Sequence, residues 1–134
     1  MGYYYRLHIS VILRKDTPKS VIDFLDLQIN TTNDLRTTEI PDDPENFAHS
    51  FFNTERWLAV FSSHHNLPAP QFTKHPGGYY DLQLDSDINY GNEEINQFVN
   101  WISPYVASRK KKQYIGWYKG ESYEIPQINL YVER

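Results

Sequence analysis

The sequence predicts an α+β domain in which two main helices cover one face of an antiparallel sheet. Three observations lead to this class: a long alternating strand pattern near the N-terminus, two amphipathic helix patterns, and further alternating segments between and after them. A chain of 134 residues, 40% of them hydrophobic, has room for one domain over residues 1–134 with a core of its own.

The first strand is predicted over residues 3–14, where the chain alternates with period two. Such a strand has one buried face, and Ile12 is the only apolar intruder on its polar face. The buried positions are Tyr3, Tyr5, Leu7, Ile9, Val11 and Leu13. The polar positions are Tyr4, Arg6, His8, Ser10 and Arg14.

Apolar residues at helical spacing predict two main helices. The first begins after Thr17, which can act as N-cap, with Pro18 at the first helical position. Its apolar positions are Val21, Ile22, Leu25 and Ile29. The apolar stripe of the second helix is Ile95, Phe98, Val99, Ile102 and Val106. Because Pro104 lies late in this stripe, we expect the second helix to kink or end near Ile102.

The remaining elements complete the order β-α-(short α)-β-β-α-β-β. They are a short helix from Asp43 and Pro44, strands over 57–61, 79–84, 113–119 and 127–132, and a long loop over 64–78. Each helix and each strand has a single apolar side, so placing both main helices on one sheet face is the economical solution. The predicted arrangement is ferredoxin-like, with an added C-terminal strand and an insertion before the second strand.

Composition excludes several classes of function. The chain has no cysteine, which removes disulfides, thiolate catalysis and cysteine-based metal sites. Its formal net charge of -4 does not favour a nucleic-acid partner. The N-terminus has no signal-peptide pattern, and no apolar run approaches the roughly 20 residues needed to span a bilayer. We therefore expect a cytoplasmic protein without a membrane partner.

Three aromatic segments carry a resemblance to known proteins. They are residues 51–57 with 61–63, residues 98–105, and residues 114–118 with Pro126 and the final strand. Together they resemble a group of small uncharacterised bacterial proteins, over roughly the C-terminal two thirds of the chain. The group has no established activity, so the resemblance implies no function, cofactor or catalytic residue.

Histidines supply the candidate chemistry for an enzyme. His8 and Ser10 form a His-x-Ser motif like one half of the paired motifs of 2H phosphoesterases, but no second such motif exists in the chain. In the loop over 64–78, His64 and His65 are adjacent and so point to opposite sides of an extended chain. His75 could join one of them, with Asp81 nearby, to bind a transition metal. We predict no catalytic residue, metal site or cofactor.

The polar face of the sheet is the predicted binding site. Its proposed residues are Tyr4, Arg6, His8, Tyr79, Asp81, Gln83, Asn129 and Tyr131. Mixed aromatic and polar groups on an uncovered face are typical of a moderately wet protein interface. We therefore expect a non-enzymatic interaction module, comparable in class to immunity proteins, whose partner is a protein or a second copy of the chain.

Two other functions remain open. One is a small hydrolase or metal-dependent enzyme built from His8 or the histidine loop over 64–75. The other is an RNA-binding sheet on which the tyrosines stack bases, which the negative charge of the chain disfavours.

Overall fold

A five-stranded antiparallel sheet organises the molecule. The computed structural model describes residues 4–31, 39–62, 67–89, 93–108, 110–120 and 126–133. The strands are β1 (Tyr4–Leu13), β2 (Gln71–Lys74), β3 (Tyr80–Asn89), β4 (Lys112–Gly120) and β5 (Ile128–Glu133). Their spatial order is β2-β3-β1-β4-β5, and every neighbouring pair is antiparallel. The α+β class and the antiparallel sheet are therefore confirmed.

The helices are short. The α-helices are α1 (Lys19–Ile29), α2 (Pro44–Phe47) and α3 (Glu93–Ile102), and 3-10 helices cover Ser50–Phe52, Glu55–Phe61 and Ser103–Tyr105. The predicted end near Ile102 is confirmed, because α3 gives way there to the 3-10 turn that contains Pro104. None of the described helices, the longest having 11 residues, offers the apolar length that a membrane crossing requires.

The predicted second strand is wrong. Residues 57–61 belong to the 3-10 helix Glu55–Phe61, where Trp57, Val60 and Phe61 are buried at helical rather than alternating spacing. Tertiary burial of these large side chains overrides their β-propensity. The edge strand β2 instead forms inside the segment predicted to be a loop. The ferredoxin-like arrangement and element order, which used residues 57–61 as a strand, therefore do not match the sheet that forms.

The inner face of the sheet, which is the face covered by the helices, contains the core. A cluster of aromatic rings fills the space between helices and sheet, with Phe24 of α1 near its centre. Five rings lie with centroids 5.2 to 5.9 Å from that of Phe24: Phe47, Phe52, Trp57, Phe61 and Trp101. The Trp101 indole donates a hydrogen bond to the Asn46 carbonyl at 2.8 Å, so the buried ring is also satisfied as a donor.

A β-bulge interrupts β4. The β4–β5 register passes from Tyr114 opposite Tyr131 to Gly116 opposite Leu130, which leaves Ile115 as an extra residue. Gly116 has φ +154°, and a Cβ there would stand 1.9 Å from the carbonyl oxygen of His8. Only glycine allows β4 to approach β1 this closely.

Candidate binding face

The outer face, which is the side of the sheet away from the helices, has no described element packed on it. None of its residues belongs to the buried core cluster. Its members are Tyr4, Arg6, His8, Ser10 and Ile12 of β1; Gln71 and Thr73 of β2; Asp81, Gln83, Asp85 and Asp87 of β3; Tyr114, Trp117 and Lys119 of β4; and Asn129 and Tyr131 of β5. The outer face thus holds seven of the eight residues predicted as a binding site.

Tyr79 is the predicted residue that stands apart. It precedes β3, and the Lys15 ammonium lies 5.2 Å from the centroid of its ring. Its ring contributes to a broad surface depression of ≈ 980 Å³ near the β2–β3 turn, together with Ile12 and His75. Tyr79 therefore borders the outer face at the Ile12 end rather than lying within its strands.

A row of four side chains crosses the centre of the outer face. In register across four strands, Asp85, His8, Trp117 and Asn129 stand side by side. His8 Nδ1 lies 3.0 Å from Asp85 Oδ1, and the imidazole centroid is 5.7 Å from that of the Trp117 ring, at an interplanar angle of 30°. The carboxylate and the indole together fix the orientation of the imidazole.

The row has a limited chemical capability. With its proton on Nδ1, His8 donates to Asp85 and leaves Nε2 as an acceptor, which is the arrangement of a general base. No nucleophilic side chain among the described residues hydrogen-bonds to His8. The row can therefore activate a water or bind a donor, but it does not contain the parts of a nucleophilic triad.

One end of the outer face is aromatic and apolar. Ile12, Tyr114 and Tyr131 are 47%, 46% and 40% exposed, and the two tyrosine rings meet edge to face at 5.6 Å. Pairing of β1 with β4 ends at Ile9 opposite Gly116, and a depression of ≈ 440 Å³ opens between the two strands beyond that point. Exposed rings beside a depression are suited to receive an apolar group.

The other end is charged. A groove of ≈ 600 Å³ is lined by Tyr4, Arg6, Asp87, Trp117, Lys119, Gly120 and Gln127. The register places Arg6 between Asp87 on β3 and Lys119 on β4. Two cations and one carboxylate thus face the groove, with aromatic rings at two of its sides.

The described part of the histidine loop contains one histidine–carboxylate contact and no complete set of metal ligands. His75 Nε2 lies 3.3 Å from Asp81 Oδ2, so the expected proximity of these two residues is present. His64 and His65 lie outside the described residues. Within the part of the chain that the structure describes, no three His, Asp or Glu side chains are grouped as metal ligands would be.

Sequence reasoning missed the contribution of β4 to the outer face. Tyr114, Trp117 and Lys119 all point outward, although strict alternation along β4 would place Tyr114 opposite to Trp117. The bulge at Ile115 and Gly116 changes the alternation between them. A glycine inside a strand pattern was the available signal, since such glycines often mark bulges.

Comparisons with protein families, with curated proteins and with solved structures find no match to this chain. The resemblance of its aromatic segments to a group of bacterial proteins therefore stays a prediction, and the function must be argued from the outer face itself.

Proposed function

We propose that this protein is a non-enzymatic binding module that contacts a protein partner through its outer face. One observation carries the proposal: an uncovered sheet face holds exposed tyrosines, a half-buried tryptophan and an arginine. Tyrosine, tryptophan and arginine are the residues that contribute most binding energy at protein interfaces.

The size of the face is adequate for a stable complex. Five strands spaced about 4.8 Å apart, the longest with 10 residues, form a surface of roughly 20 by 30 Å. This approaches the ~800 Å² that one partner contributes to a standard interface. Because the Trp117 ring packs beside His8 and Tyr114 beside Tyr131, these side chains are already ordered and lose little entropy on binding.

The test is native mass spectrometry of the protein purified from its own cells, combined with variants. We expect a complex with another protein, and we expect Trp117→Ala and Tyr131→Ala each to weaken it by about tenfold or more. Lys19→Ala, on the exposed surface of α1 away from the sheet, is the matched control and should leave the affinity unchanged.

Two results would contradict the proposal. A protein that is monomeric and free of any partner under all conditions would remove it, and so would a complex that neither outer-face variant weakens. A homodimer that both variants dissociate would keep the outer face as the interface and identify the partner as a second copy.

The His8–Asp85 contact favours a second candidate, a small hydrolase in which His8 activates water. This candidate predicts turnover of an ester or phosphodiester that His8→Gln abolishes and that Ser10→Ala preserves. A panel of chromogenic esters and phosphodiesters without any turnover above the His8→Gln background would eliminate it.

A further inference from the structure

The charged groove contains two cations that face each other across neighbouring strands. Arg6 on β1 is directly opposite Lys119 on β4, so their Cβ atoms are about 5 Å apart. Like charges in this position are unfavourable in an isolated sheet, because each raises the electrostatic energy of the other. The repulsion is relieved when an anion lies between them.

The described residues do not supply this anion. Among them, no carboxylate makes an ion pair with Arg6 or Lys119, although the chain as a whole is acidic. Asp87 is directly opposite Arg6 on the other side, yet it also makes no ion pair. At the start of β4, by contrast, the Lys112 ammonium lies 3.9 Å from a Glu133 carboxylate oxygen and 4.5 Å from the centroid of the Tyr131 ring.

The balance of charge selects the ligand. Among the described residues that line the groove, Arg6 and Lys119 with Asp87 give one net positive charge, which matches a monoanion such as a carboxylate. A phosphate group near neutral pH carries between one and two negative charges, and Asp87 would repel it more strongly. Arginine presents a planar pair of donors that fits a carboxylate, and lysine adds a mobile donor from the opposite strand.

We infer that Arg6 and Lys119 form a subsite that binds one carboxylate of an acidic segment in the partner. The inference rests on the proposed function only in taking a protein as the source of the carboxylate. The segment would cross the outer face with an Asp or Glu in the charged groove, beside the half-buried indole of Trp117.

The test uses a hexaglutamate peptide with blocked ends as the probe. Binding is followed by the NMR shifts of the Trp117 indole and of the backbone amides of β1 and β4, first with the peptide and then with inorganic phosphate. We expect saturable shifts around Arg6 and Lys119 that weaken with added salt, and weaker or no binding of phosphate. Arg6→Ala and Lys119→Ala should each lower the peptide affinity by about tenfold or more.

Lys112→Ala is the matched control, because it removes a cation from β4 that does not line the groove. Its effect should stay within about twofold. Failure of the peptide to bind the wild-type protein, or an equal loss in Lys112→Ala, would overturn the inference. Phosphate that binds as tightly as the peptide would overturn the assignment to a carboxylate.

The outcome is separable from that of the proposed function. Peptide binding that requires Arg6 and Lys119, in a protein for which no partner is found, supports the carboxylate subsite and rejects a protein as its source. A partner that needs Trp117 and Tyr131 but is insensitive to Arg6→Ala and Lys119→Ala rejects the subsite alone.

Discussion

Aromatic rings lie on both sides of the sheet, but they pack differently on the two sides. In the helical layer that covers the inner face, Phe24 lies 5.2 to 5.9 Å from five aromatic rings, which belong to the core or pack against it. On the outer face, the ring contacts are separate pairs, His8 with Trp117 and Tyr114 with Tyr131. The first arrangement excludes water, whereas the second keeps large side chains ordered at the surface.

The difference predicts that the two sides of the sheet contribute unequally to stability. Rings packed on several sides make many dispersion contacts and bury apolar area, so they stabilise the folded chain. Rings packed on one side make few such contacts and leave much of their area exposed to solvent. Substitutions on the two faces should therefore separate folding from binding.

The largest expected effect comes from removing one ring from each face. Phe24→Ala should lower the free energy of unfolding by about 3–5 kcal/mol, because it opens a cavity within the aromatic cluster. Trp117→Ala removes a larger ring yet should cost about 1 kcal/mol or less, because the outer face is open to water. Urea denaturation with an unchanged m value measures both. Similar losses of unfolding free energy in the two variants would contradict the proposed difference between the two sides of the sheet.

The next largest effect is expected at Gly116, where β4 closely approaches β1. Gly116→Ala should destabilise the protein by about 3 kcal/mol or more, because the new methyl group would overlap the His8 carbonyl oxygen. Gly77→Ala is the matched control: its Cβ would meet only Tyr79 Cδ2, at 3.8 Å, and should change stability by about 0.5 kcal/mol or less. Thermal denaturation of the two variants makes the comparison, and equal stability would show that β4 can relax away from β1.

The smallest expected effect is on the pH dependence of stability, and it concerns His49. Burial lowers the pKa of His49 on the helix side of the sheet, and its Nδ1 accepts a hydrogen bond from the Phe51 N–H at 3.0 Å. Its contribution to stability is therefore present above the ordinary histidine pKa of about 6.5 and is lost as the pH falls below it, where the unfolded chain takes up a proton first.

Asparagine at position 49 can keep the hydrogen bond to Phe51 without a titrating ring. We expect His49→Asn to give a shallower fall in unfolding free energy between about pH 7.5 and pH 5.5 than the wild type gives. The other histidines are present in both proteins, so the difference between the two profiles isolates His49. Parallel profiles would assign the acid sensitivity to other groups.

The elements with a clear period were predictable from sequence, and those shaped by tertiary burial were not. Strict alternation identified β1, and the helical stripe with Pro104 gave the end of α3 at Ile102. The run over 57–61 has the composition of a strand, but the aromatic cluster needs Trp57, Val60 and Phe61 on one side of a helical turn. Such a demand arises from residues distant in sequence, and no local pattern contains it.

The candidate site was predictable in outline for the same reason. Residues on β1, β3 and β5 follow simple alternation, so Arg6, Asp81 and Asn129 could be placed on one face. The partnership of His8 with Asp85 depends on register between strands 77 residues apart, which the sequence does not state. The cation pair Arg6 and Lys119 depends on register as well and also on the bulge.

The bulge at Ile115 and Gly116 changes which positions of β4 have side chains on the outer face. Before the bulge, even-numbered side chains such as Tyr114 lie on the outer face, and after it odd-numbered side chains such as Trp117 do. Each half of β4 thus alternates regularly between the two faces, and the two halves meet at Gly116. The aromatic end and the charged end of the outer face therefore use β4 residues on opposite sides of the bulge. Residues at either end can be substituted while those at the other end keep their orientation.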